Sequence, residues 1–131
     1  MSYTRIPNFN NTTVNMRYDE LISRVASYLH EAGIPVQTVD PNRGIIVASN
    51  SDFRPDQFAN CALNAPQYLT KTQVEVTIFL TPQGPNRYSV FVAPIYSQTY
   101  VNLSNNKGRE TKPCINTGLL ERTLLRRLER H

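Results

Sequence analysis

The side chains with which this chain could do chemistry are few. Among 131 residues there are two cysteines, two histidines and ten carboxylates. A metal centre needs such ligands clustered at suitable spacing. His30 and His131 stand at ligand spacing from neither Cys61 nor Cys114, so a surface histidine and a terminal one are expected, and no metal. Nucleophilic catalysis needs a Ser or Cys, a base and an orienting acid. There is no G-x-S-x-G, and nothing ties His30 to either cysteine. Asp19 and Glu20 open a helical pattern, where they complement the helix dipole. Asp52 and Asp56 fall in a connecting segment and suit turns. The five glycines are isolated, so no phosphate-cradling loop is present. The expectation is a non-enzymatic protein with no catalytic residue and no cofactor.

Cys61 and Cys114 are too far apart for a C-x-x-C redox or zinc motif. An even count at wide spacing suits one structural disulfide and an oxidising compartment, and two separate buried thiols are the other reading. Both residues sit in connecting segments, FANCALNAP and KPCINTG, where cross-links staple loops. Closing this loop would contribute roughly 4 kcal/mol in the chain-entropy account.

The elements that must hold these residues follow from periodicity. Val14, Tyr18, Leu21, Ile22, Val25, Leu29 and Ala32 recur at helical spacing, with Gly33 and Pro35 as the stop. This predicts a helix over 16–32. Two β-branched runs, 36–40 and 45–49, flank Pro41-Asn42-Arg43-Gly44 and predict a hairpin. Residues 50–71 have no clean period and read as a long connection. QVEVTIFLT alternates, with Val74, Val76, Ile78 and Leu80 on one side and Glu75, Thr77 and Phe79 on the other. After a Pro/Gly turn at 82–86, RYSVFVAPIY returns to form a second hairpin. Both faces of that return strand are apolar, as in a central or covered strand. QTYVNLS suggests a fifth short strand, and NNKGRETKP a polar loop. A last helix, capped by Asn116 or Thr117, carries the stripe Leu120, Leu124, Leu125 and Leu128. The predicted fold is α+β, an antiparallel sheet of four to five strands in two hairpins, with an N-terminal and a C-terminal helix on one face. Residues 1–15 read as a flexible N-terminal segment and 16–131 as a single domain.

Charge is unevenly placed. Residues 1–65 hold 5 basic and 6 acidic groups, a net of −1, and residues 66–131 hold 9 and 4, a net of +5. Lys107, Arg109 and Lys112 precede a helix bearing Arg122, Arg126, Arg127 and Arg130, and Tyr88, Phe91, Tyr96 and Tyr100 lie on or near strands. Aromatics beside cations can stack and hold nucleic acid. A solvated basic face is the plainer reading. No apolar run reaches the ~20 residues that span a bilayer. MSYTRIPNFNNTTVN has no basic segment followed by an apolar one, which reads as a cytosolic start or as a chain whose signal was removed.

The run YDELISRVASYLHEAGIPVQTVDPNRGIIVAS, with the later CINTGLLERTLLRRLE, resembles the mature domains of small Gram-negative envelope lipoproteins. The resemblance covers about a third of the chain. It implies a helix-on-sheet domain in the periplasm, tethered to the outer membrane by an N-terminal lipid whose lipobox would lie upstream. It also implies a role in assembly or envelope upkeep rather than catalysis. The leading expectation is therefore a periplasmic protein-interaction module for an envelope protein partner. It would bind through the outer sheet face (Phe79, Phe91, Ile95) or the basic helix (Arg122, Arg126, Arg130). The alternative is a cytosolic nucleic-acid-binding domain that uses the same arginines. The disulfide reading predicts that alkylating the protein before any reduction adds no mass at Cys61 or Cys114; two alkyl adducts on intact mass analysis would refute it.

Overall fold

The structure is a computed structural model that describes residues 10–55, 57–61, 67–102 and 108–129. It is an α+β arrangement of an antiparallel sheet and two helices. The chain runs β1 (Asn11–Asn15), α1 (Tyr18–Glu31), β2 (Val36–Asp40), β3 (Ile45–Asn50), β4 (Ala59–Asn60), β5 (Gln67–Gly84), β6 (Arg87–Asn102), β7 (Gly108–Pro113), β8 (Ile115–Asn116) and α2 (Leu119–Glu129).

Helix α1 forms because its apolar residues fall on one stripe, of which Leu21, Val25, Tyr28 and Leu29 are buried. It ends where Gly33 turns left-handed, at φ 84°. The Gly33 N–H then donates to the His30 carbonyl at 3.0 Å and the Ile34 N–H to that of Leu29 at 2.8 Å. This paired closure needs a residue without Cβ strain at Gly33, and it drives Ile34 into the core, where it is fully buried. The helix is shorter than the predicted 16–32. Met16 is buried in the core cluster ahead of the first turn instead.

The sheet is larger than the four to five strands expected. Six strands form it in the order β1-β6-β5-β3-β2, with β7 also on β6. β5 lines one edge of β6 along its length, so β1 and β7 share the other edge end to end, β1 at 87–91 and β7 at 97–102. The predicted fifth strand is the far end of β6. The second hairpin is long, with strands of 18 and 16 residues.

Strand β1 lies within the segment expected to be flexible, and β7 within the expected polar loop. NTTVN and GRETKP have too few apolar residues to alternate. Pairing with β6, not burial of their own side chains, makes them strands. β1 is also tied to α2, where the Thr12 hydroxyl donates to Glu129 Oε1 at 2.7 Å. Between β1 and β7, residues 92–96 of β6 pair with no strand on that edge among the described residues. Val92 N–H points there to the Asn10 carbonyl, and the Tyr96 carbonyl there accepts Cys114 N–H. Pro94 sits between these two residues with the same orientation, so its missing N–H falls in the interval that neither β1 nor β7 pairs.

One face of the sheet is core. Ile46 and Ala48 of β3, Val74, Val76, Ile78 and Leu80 of β5, and Val90, Val92 and Tyr96 of β6 join Leu21, Val25 and Leu29 of α1 in a single cluster. Leu120, Leu124, Leu125 and Leu128 of α2 belong to it too. Each such leucine contributes about 1.5–3 kcal/mol by leaving water. Helix α2 starts at Leu119. Asn116 Oδ1 accepts the Gly118 N–H at 2.9 Å, and the Gly118 carbonyl takes the Arg122 N–H. Asn116 and Thr117 thus serve the turn before the helix.

Gly44 closes the first hairpin at φ 68°, and a Cβ there would sit on the Leu80 carbonyl oxygen. That carbonyl belongs to β5, whose Leu80 N–H donates to the Gly44 carbonyl at 2.7 Å. Gly44→Ala is therefore expected to cost about 2 kcal/mol or more, read as a lower urea midpoint at unchanged m-value.

Candidate functional site: the open face of the sheet

Strand residues alternate sides, so the register that builds the core also builds a second surface. On it Ile45, Phe79 and Phe91 lie in one row across β3, β5 and β6, Val47, Thr77 and Ala93 in the next, and Ser49, Glu75 and Ile95 in a third. The Phe79 and Phe91 rings meet at 6.0 Å with their planes tilted by 53°. Such a cross-strand pair contributes roughly 0.5–1 kcal/mol to the sheet. Phe79 is 39% exposed, Phe91 37% and Ile95 63%. A solvated sheet face normally carries polar residues at such positions. Here the polar ones gather beside Ile95, where Ser49, Asn50, Gln73, Glu75 and Ser97 line a groove of about 310 Å3. Glu75 is exposed and makes no ion pair among the described residues.

The structure thus brings Phe79, Phe91 and Ile95 onto one surface. Arg122 and Arg126 are exposed on α2, a different element, and Arg130 lies outside the described residues. Arg127 is committed elsewhere. Its guanidinium holds Glu31 at 2.6 Å and lies 5.0 Å over the Tyr28 ring, and the Glu31 hydrogen bond raises its pKa. Of the aromatics considered for base stacking, Tyr96 and Tyr100 are buried and Tyr88 is stacked on Tyr18 at 4.9 Å. Phe91 alone of the four is exposed. Lys112 lies over the Tyr100 ring, and Lys107 lies outside the described residues.

Cys61 and Cys114 form a disulfide with their Cα atoms 4.7 Å apart, so neither is a free thiol. Such a bond fits a non-reducing, extracytoplasmic compartment. His30 is exposed on α1, and His131 and Asp56 lie outside the described residues. Among the described residues no group of His, Cys, Asp and Glu could hold a metal, and no helix is long and apolar enough to cross a membrane.

One polar cluster escaped the sequence reading. Glu121 is buried at 3% exposure, with Oε2 accepting from Asn116 Nδ2 at 2.6 Å. Its Oε1 has no hydrogen-bond partner among the described residues, and neither does the buried Tyr96 hydroxyl. Burial pushes the Tyr96 phenol well above its ordinary pKa, and the charge of Glu121 and the phenol of Tyr28 add to the shift. A signal for Glu121 did exist. It stands four and seven residues before Leu125 and Leu128, on the leucine stripe itself.

Comparison with family models, with curated proteins and with solved structures returns no match for this chain. Any functional reading therefore rests on the site.

The Tyr96 shift carries a pH dependence. A phenol whose folded pKa is raised stabilises the fold fully below its unfolded pKa of 10, and that contribution is lost as pH climbs above it. Urea midpoints should fall from about pH 9 to about pH 11, and Tyr96→Phe should lessen the loss by about 1 kcal/mol. Parallel curves for the two proteins would contradict the assignment.

Proposed function

We propose that this protein is a non-enzymatic interaction module of the bacterial cell envelope that docks a protein partner on the open face of its sheet. The observation that carries the reading is the contacting pair Phe79 and Phe91, exposed together with Ile95 beside a polar groove. Grouped apolar side chains on a solvated face cost free energy in proportion to area and favour association, so a partner that covers them is stabilised by their burial. Aromatic anchors ringed by polar groups are the usual composition of an interface centre.

In this reading both helices roof the opposite, core face and make a rigid backing, so the sheet presents its anchors without rearrangement. Glu75 and the groove beside Ile95 supply polar contacts at the rim. The periplasm is the compartment that the disulfide and the likeness to envelope lipoproteins favour, with an N-terminal lipid as the outer-membrane tether. The arginines of α2 are the rival surface, for an acidic partner or for nucleic acid.

The test is a photo-crosslinking side chain placed at Ile95 or, in a second strain, at Arg126 of the protein in its producing cell. The Ile95 probe should yield one discrete adduct. Phe79→Ser with Phe91→Ser should lower its yield by roughly tenfold, as loss of a hot-spot contact does, without altering the far-UV spectrum. An adduct from Arg126 and none from Ile95 would overturn the sheet-face reading.

A further inference from the structure

The disulfide joins two jaws of unequal strength. One jaw is the start of α2. The Cys114 N–H is held by the Tyr96 carbonyl of β6 at 2.8 Å, and Asn116 is held by the buried Glu121. Behind it, Leu120, Leu124, Leu125 and Leu128 fix α2 in the core. The other jaw is the segment 57–61, which carries β4. Among the described residues it pairs with β8 alone, through two residues on each side, Ala59 with Asn116 and Asn60 with Ile115. Thr117 adds a backbone bond to the Phe58 carbonyl at 3.1 Å and hydroxyl bonds to the Gln57 and Phe58 carbonyls. These ties run from this segment to the stretch that follows Cys114, and one local bond, from the Phe58 N–H to the Pro55 carbonyl at 2.7 Å, holds its start. A two-stranded ribbon this short has little stability of its own.

Beneath the segment lies an aromatic end of the core. Phe58 stacks on Phe53 at 6.1 Å, and Phe53 on Tyr96 at 6.2 Å. Phe53 and Tyr96 are almost fully covered, as is Ala59. Both cysteines are half-buried, so the bond lies at the boundary between this aromatic end and solvent.

We infer that Cys61–Cys114 is a redox clasp, whose reduction by a dithiol frees segment 57–61 and uncovers the Phe53–Tyr96 end of the core while the six-stranded sheet and α1 stay folded. The exchange balances. A thiolate of the dithiol attacks one cysteine sulfur and breaks the Cys61–Cys114 bond, leaving a mixed disulfide and a thiolate that takes a proton. The second thiol of the reductant displaces the remaining cysteine, so Cys61 and Cys114 end as thiols and the reductant as a disulfide. The cross-link spans 53 residues, so cutting it returns considerable freedom to the chain, and segment 57–61, held by a ribbon of two residue pairs, takes up that freedom. The clasp is separate from the open sheet face, so it stands or falls independently of the docking proposal.

Hydrogen exchange on the full chain, oxidised and then reduced with dithiothreitol, tests this. Reduction should speed exchange of the 57–61 amides by about tenfold or more and raise the fluorescence of an apolar dye, with β5, β6 and α1 unchanged. Cys61→Ser, measured without reductant, should reproduce the reduced pattern. Unchanged exchange at 57–61 would overturn the inference. So would a cooperative loss of protection throughout the sheet, because the disulfide would then hold the whole fold and not one segment.

Discussion

The pairing of β5 with β6 decides which side of nearly every strand residue meets water. These two strands form the long central hairpin, and β1, β3 and β7 take their registers from them. Ile78 opposite Val92 sends both inward; Phe79 opposite Phe91 sends both outward. A slip of one residue would exchange the two sets and bury the phenylalanines. The slip is resisted because Val74, Val76, Ile78, Leu80, Val90 and Val92 of the inward set share one buried cluster with leucines of α1 and α2. Core and candidate site are therefore two consequences of one register.

The edges of the sheet are managed by different means. β2 is short and irregular, with a register shift between Val36 and Thr38 where the Gln37 side chain bonds to the Pro35 and Ser49 carbonyls. The opposite edge of β6 is covered by two polar strands, and Pro94 occupies the interval between them. Open strand edges recruit other chains, and a bulge, polar cover and a misplaced proline all discourage that. Phe79, Phe91 and Ile95 are exposed on a face, where side chains rather than backbone groups would choose the partner.

In the core, polar groups are buried and not fully satisfied among the described residues. Glu121 and Tyr96 each have a buried oxygen without a partner among the described residues. Such groups cost stability unless the surroundings hold them in place. The disulfide, the short ribbon and the Asn116 bonds converge on this same region. Local covalent restraint and local polar cost therefore occur together, which suits a region able to open while the sheet persists.

Composition and period alone pointed to the α+β class, both helices, the hairpin turn at Gly44 and the alternation of β5, and the even cysteine count suited a disulfide that the structure then showed. Each is written locally, in helical or two-residue spacing, in a glycine where φ turns positive, or in an even cysteine count. The sequence could also nominate Phe79, Phe91 and Ile95, since they fall opposite the core positions. It could not announce β1 or β7, because polar segments become strands only when a partner's backbone is beside them. Nor could it join Phe79 to Phe91, remove Tyr96 and Tyr100 from the surface, or engage Arg127 with Glu31. Those outcomes depend on groups far apart in the chain meeting in space, and only the tertiary structure fixes such distances.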